Sequence, residues 1–191
     1  IKRAGTVILA STIILWFLQG FGVVDGVFQM VEDNNDSLLA VIGGAICWIF
    51  APLGFGNWQA TVATITGLIA KEEVPATMAV LYPGNLTAEI GAVFNGITAY
   101  SFMIFNLLCA PCFAAMGAIK REMNNAKWTW FAIGYQCGFA YLIALMINQF
   151  GNAFTGSLNI IGLIAALAAL ALIVYMLVRP YKEATKLSAK V

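Results

Sequence analysis

The sequence predicts an all-α, polytopic membrane protein in which some helices are broken or re-entrant. Three observations carry that expectation. Of 191 residues, 61% are hydrophobic and only 10% are charged, against roughly 25% charged in soluble domains; there is too little polar surface to cover a globule. The charges are also clustered, leaving 4–24, 37–70, 90–119 and 128–178 without any, and a membrane helix needs about 20 mostly apolar residues. Finally, the stretch 37–70 is interrupted by Pro and Gly, which do not continue a helix. Other classes fall away on the same grounds. A net charge of +1 offers no basic stripe for nucleic acid. The absence of His removes His-ligated haem, His-based zinc sites and Ser-His-Asp catalysis.

Residues 4–24, after Lys2-Arg3, are expected as the first helix, followed by an acidic loop carrying Asp25, Glu32, Asp33 and Asp36. A second clear helix is expected over 97–119. The run 128–178 is too long for one crossing and divides near Gly151, Asn152, Gly156 and Ser157 into 128–150 and 157–178. Lys2/Arg3, the Lys120–Lys127 cluster and the basic tail from Arg179 belong on the cytoplasmic side by the positive-inside rule, with the acidic loop outside. Segment 37–96 must then begin and end outside. Within it, the run Ser37–Phe50 stops at Ala51-Pro52-Leu53-Gly54-Phe55-Gly56-Asn57. A second run, Trp58–Ala70, is only 13 residues long and ends in Lys71-Glu72-Glu73. Short, interrupted apolar segments mark transport sites, because irregular backbone survives at membrane depth only where protein or a cavity surrounds it. Three regions follow: 1–36, a first helix and acidic loop; 37–150, the interrupted transport region; and 151–191, a last helix and interfacial basic tail. The chain starts at Ile1 without Met or a signal-peptide pattern and is expected to belong to a longer polypeptide. It contains no Walker-type loop, so a nucleotide-driven step is expected elsewhere.

The densest group of metal-competent side chains is Asn106-Leu107-Leu108-Cys109-Ala110-Pro111-Cys112-Phe113-Ala114-Ala115-Met116. On a continuous helix, Cys109, Cys112 and Met116 present their sulfurs to one side, with Asn106 a turn earlier. Pro111 displaces the carbonyl of Leu107, adding an oxygen. Two thiols, a thioether and a carbonyl suit a borderline transition metal. The alternative is packing, since free Cys behaves as a small apolar residue and Met fills gaps. A structural disulfide is disfavoured at membrane depth.

A second group is Lys71-Glu72-Glu73 at the end of a Thr-rich run. Thr61, Thr64 and Glu72 are expected on one helical face, able to hand on a cation, because intramembrane charges are costly and usually functional. The alternative is a helix end at the surface with Lys71 snorkelling. The acidic loop could concentrate cations or simply be solvated, and Cys47 and Cys137 are expected to pack.

The strings Phe50-Ala51-Pro52-Leu53-Gly54, Gly67-Leu68-Ile69-Ala70-Lys71-Glu72 and Thr77-Met78-Ala79-Val80-Leu81-Tyr82 resemble the C-terminal half of bacterial ferrous iron transport protein B. Pro111-Cys112-Phe113-Ala114-Ala115, Lys120-Arg121-Glu122, Trp128 and Tyr135-Gln136 continue the resemblance in order, over about 50–150. That family is a membrane permease for Fe²⁺ with an N-terminal cytoplasmic GTP-binding domain and two gate-type repeats of inverted topology, similar to nucleoside transporters. The resemblance implies that this chain is the second gate repeat, with Cys112 the gate cysteine on the iron path and Glu72 the family's acidic position. Cys109 and Glu73 fall where the family varies. Fe²⁺ would be handled by Cys112, Cys109, Met116 and Glu72, with Asn106, Thr64 and Glu73 along the path. Binding must stay weak enough for release. The implied partners are Fe²⁺, the bilayer, the GTP-binding domain and the first gate repeat, in the bacterial inner membrane with a cytoplasmic C-terminal tail. A homo-oligomer is compatible with this; nucleic acid and a resident cofactor in this segment are not expected. The rivals are a gate-fold permease for another solute such as a nucleoside, for which Asn57 and Gln59 give thin support, and a non-catalytic membrane anchor, which would not bury Lys71, Glu72 and Glu73. An enzyme is disfavoured because no acid–base–nucleophile set is apparent.

Overall fold

A computed structural model describes residues 2–24, 27–31, 36–82, 84–156 and 159–179. The expected helices are present, with more interruptions than the charge-free stretches suggest. Helix α1 spans Lys2–Gly20, and a short antiparallel hairpin of β1 (Phe21–Val24) and β2 (Val27–Met30) follows, with Val24 opposite Val27. The hairpin is an addition to an otherwise all-α expectation, and it takes over the end of the expected first helix and the start of the expected acidic loop. Asp25, Glu32 and Asp33 lie outside the described residues, as does the tail beyond Arg179.

Helix α2 (Leu38–Ile46) is capped by the Ser37 hydroxyl, which accepts from Ala40 N–H at 3.1 Å. It decays into two 3₁₀ turns, Cys47–Ile49 and Ala51–Leu53. Gly54 closes the second with φ +92°, a left-handed conformation that glycine adopts without a Cβ penalty. Asn57 then starts α3 (Trp58–Gly67), its Oδ1 accepting from Ala60 N–H at 2.7 Å. The interruption over 47–57 is thus present as expected. Helix α4 (Glu73–Leu81) tolerates Pro75 because that residue falls in its first turn, where N–H groups have no intrahelical partner. Helices α5 (Leu86–Val93) and α6 (Gly96–Leu108) meet at a bend of 95°.

The expected single helix over 97–119 is not formed. It is split into α6 and α7 (Phe113–Met123), with Cys109 and Cys112 both extended, at ψ 173° and 158°. Pro111 causes the split rather than a kink: it has no N–H to donate, and it disfavours helical geometry for Ala110 before it. Helix α8 (Ala126–Phe154) begins at the Asn125 cap and α9 (Ile160–Val178) at Asn159, with Gly156 at φ +89° between them. Asn caps therefore start five of these helices, those at Asn57, Asn85, Asn95, Asn125 and Asn159, by accepting from otherwise orphaned N–H groups.

Among the described residues, α8 and α9 are each long and apolar enough to cross a membrane, and the bent pair α5–α6 makes a third candidate. Helix α1 has 19 residues and opens on Lys2 and Arg3. The core lies between α3, α6 and α8. Phe55 and Leu53 are 1% and 0% exposed, and Phe55 stands at the centre of a ring cluster with Phe50, Phe102 and Phe105 at centroid distances of 5.2 to 5.9 Å. Ala140 and Ala144 on α8 are completely buried; small residues there let helix backbones approach closely. Much of α9 instead exposes large apolar side chains such as Ile161 and Leu177, the surface a lipid-facing helix presents.

Candidate functional site

Two helix breaks each leave carbonyls that need donors. At the first, over 47–57, the donors are neutral side chains. The Tyr141 hydroxyl donates to Ile49 O at 2.8 Å, Asn148 Nδ2 and Gln149 Nε2 donate to Pro52 O at 3.1 and 2.8 Å, and the Ser101 hydroxyl lies 2.9 Å from both Leu53 O and Ala144 O, sharing its proton between them. Asn148 also accepts from Asn152 Nδ2 at 3.1 Å. Unpaired backbone at membrane depth costs several kcal/mol per group, so these side chains make the irregular loop tolerable. The sequence reading did not identify Ser101, Tyr141, Asn148 or Gln149. The spacing on α8, with Tyr141 about two turns before the adjacent Asn148 and Gln149, was the available signal.

At the second break, over 109–112, the donor is a charge. Lys71 Nζ lies 3.0 Å from Leu107 O and 3.4 Å from Cys109 O. The Leu107 carbonyl is displaced as Pro111 suggested, but the ammonium of Lys71 takes it. Lys71 reaches across from the turn between α3 and α4 to the last carbonyls of α6. The same turn is tied to the start of α7, where Phe113 N–H donates to Leu68 O at 3.0 Å. Cys109 is buried, with its thiol 3.4 Å from Asn106 O. Cys112 is half-buried at the N-cap of α7, and its thiol makes no capping hydrogen bond. Asn106 donates to Phe102 O at 2.9 Å and keeps its Oδ1 toward Gly67.

The remaining expected site residues are distributed around these breaks. Because the helix splits, Cys109, Cys112 and Met116 do not form one helical stripe. Met116 lines a largely apolar cavity of about 380 Å³ with Phe113, Lys120 and Cys137. Thr64 is buried, and its Oγ1 has no hydrogen-bond partner. Thr61 and Thr64 lie on α3, but that helix ends at Gly67, so Glu72 does not continue their face; it is exposed at the start of α4. Glu73 is half-buried and lines a cavity of about 210 Å³ with Gln19, Thr66 and Thr77, where the two Thr hydroxyls are 3.0 Å apart. Among the described residues, no three of His, Cys, Asp and Glu come together in a ready metal cluster. What the second break does assemble is two carbonyls, two nearby thiols and one cation.

Comparison with known proteins fits this arrangement. The family model described as Gate: Nucleoside recognition matches residues 1–126. The Fe(2+) transporter FeoB of Methanocaldococcus jannaschii is 36% identical over 159 residues, covering 80% of this chain and 24% of that protein. The Fe(2+) transporter FeoB of Staphylococcus aureus strain COL is 32% identical over 157 residues, covering 81% of the chain and 23% of the relative. A protein of Porphyromonas gingivalis named as a fusion of Fe(2+) transport protein A and Fe(2+) transporter FeoB is 27% identical over 202 residues, with 81% and 24% covered. The chain thus spans about a quarter of the length of the curated relatives it matches. No solved structure matches it. A multi-pass apolar helical assembly with interrupted segments, matched by the Gate model over about two thirds of its length, belongs to the Gate family, as the C-terminal membrane region of the ferrous iron transport protein B family.

Proposed function

We propose that this chain is the gate portion of a permease that carries Fe²⁺ across the cell membrane. The observation that carries the reading is the α6–α7 break, which sets Cys109 and Cys112 on either side of Pro111 beside carbonyls freed from helical pairing. Soft sulfur and neutral oxygen together suit a borderline divalent metal better than Mg²⁺ or Ca²⁺. Fe²⁺ would shed water stepwise, meeting Cys112, with Cys109 and Met116 as further soft ligands. Asn106, Thr64 and Glu73 lie along the route, and Glu72 is a hard acceptor on the turn next to the break. The orphaned hydroxyl of buried Thr64 supports a polar route along α3. Weak, multiple sites allow release.

The relatives' names, all for Fe(2+) transport proteins, support the substrate. The family's GTP-binding domain and first gate repeat would be partners of this segment, energy coupling would come from that domain, and self-association would be compatible with the exposed apolar faces of α8 and α9. The positive-inside rule places Lys120, Arg121 and the basic tail in the cytoplasm. A nucleoside cargo is the second reading, favoured by the nucleoside-recognition description of the Gate family. The polar groups it would need at the first break are already engaged: Asn57 caps α3, and Asn148 and Gln149 hold Pro52 O.

The test is ferrous iron uptake by the full-length protein in cells without another ferrous importer. Cys112→Ser and Glu72→Gln, at wild-type protein levels, should each cut the initial rate by about tenfold or more, since a lost ligand interaction worth about 1.4 kcal/mol is already a factor of ten. Normal uptake by both variants would remove the site assignment.

A further inference from the structure

The carbonyls at the α6–α7 break are filled, and what fills them is a cation. Lys71 Nζ sits 3.0 Å from Leu107 O and 3.4 Å from Cys109 O, and these two carbonyls are its hydrogen-bond partners, 36 and 38 residues away along the chain. The contrast with the first break is chemical. There, neutral Ser, Tyr, Asn and Gln donors suffice for the same task of pairing freed carbonyls. A neutral donor would serve equally at the second break if pairing were all it needed. An ammonium does more: its three donors and full charge make it a surrogate for a bound ion, tethered by a flexible four-carbon stem that can withdraw.

We infer that Lys71 is an intramolecular competitor, occupying the oxygen acceptors of the α6–α7 break in the resting protein, and that a permeating divalent cation must displace it to use them. The inference rests on the ion-permease reading above and adds to it a residue that sets apparent affinity. A monovalent ammonium and a divalent ion cannot share these oxygens at hydrogen-bond distance, because like charges that close repel. Displacement also has a place to go. Glu72 and Glu73 directly follow Lys71, and Glu72 is exposed, so the withdrawn ammonium can be neutralised on its own turn. Because Leu68 O receives Phe113 N–H, the turn that loses its grip on α6 remains anchored to α7. The ion would thus exchange one positive charge for another at a fixed point.

The experiment compares wild type, Lys71→Gln and Lys71→Arg in the full-length protein. Gln keeps a neutral donor of the kind that holds the first break, and Arg keeps the charge. Two readouts are taken: the Fe²⁺ concentration dependence of initial uptake, and Mn²⁺ binding to detergent-solubilised protein followed by electron paramagnetic resonance. The expected result is a KM lower by roughly tenfold in Lys71→Gln, the size of a charge-assisted contact no longer opposed, with tighter Mn²⁺ binding and with Lys71→Arg close to wild type. An unchanged or higher KM in Lys71→Gln, with unchanged Mn²⁺ binding, overturns the inference. So does loss of protein in Lys71→Gln with normal Lys71→Arg, which would make the ammonium a purely structural clamp. If wild type moves no Fe²⁺ but Lys71→Gln binds Mn²⁺ more tightly, the displacement stands and the iron-transport reading fails.

Discussion

The two breaks solve one physical problem in opposite ways. Over 47–57 the freed carbonyls are held by four neutral side chains that come from two helices, Ser101 on α6 and Tyr141, Asn148 and Gln149 on α8. Over 109–112 a single flexible lysine does the holding. The first arrangement is redundant and packed around Phe55 and Leu53, which are almost completely buried. The second is sparse, half-exposed and charged. A redundant clamp fixes a shape; a lone charged one can let go. The difference assigns rigidity to the first break and exchange to the second.

The comparison can be broken most severely at Gly54. A Cβ there would collide with Asn148 Oδ1 and come within 2.7 Å of Thr98 Cγ2, in a backbone already at φ +92°. Gly54→Ala should therefore combine left-handed strain with a disturbed clamp and cost about 3 kcal/mol, read as a lower Tm in detergent and reduced protein level. A fold as stable as wild type would show that the first break is not rigidly held. A smaller loss, about 1–2 kcal/mol by the cost of one orphaned buried carbonyl, is expected for Ser101→Ala, because Leu53 O loses its hydroxyl partner. The smallest stability effect belongs to Lys71→Gln. Its side chain retains a donor, so a loss of under about 1 kcal/mol is expected, with the change appearing in transport kinetics instead. If Lys71→Gln destabilised more than Ser101→Ala, the division between a rigid and an exchangeable break would be reversed.

Much of the architecture could be read from residue order. The charge-free length of 128–178 does divide into α8 and α9 as expected, but Gly151 and Asn152 lie inside α8 and the break falls at Gly156. Pro52, Gly54 and Gly56 correctly mark the first interruption. The second break was hidden by its length: 97–119 is uncharged throughout and just long enough for a span, so Pro111 reads as a kink. Only the extended geometry of both flanking cysteines shows that the helix stops. The hairpin had a local signal, the Asp25-Gly26 dipeptide between Phe21–Val24 and Val27–Met30, a pair favoured in two-residue turns. The reach of Lys71 to Leu107 had none, since no periodicity links residues 36 apart.

The bend of 95° between α5 and α6 has a consequence for the bilayer itself. With α5 turned across its axis, α6 runs only about 20 Å at 1.5 Å per residue, well short of a hydrocarbon layer of about 30 Å. If α5 rests at one interface, the end of α6 and the cysteines beyond it hang inside the layer rather than at its far surface. Hydrophobic thickness then fixes how deeply those groups are submerged. The lipid becomes a control on water access: in a thinner membrane the far interface approaches the break and water reaches it sooner, while in a thicker one the same sequence lies farther from bulk solvent.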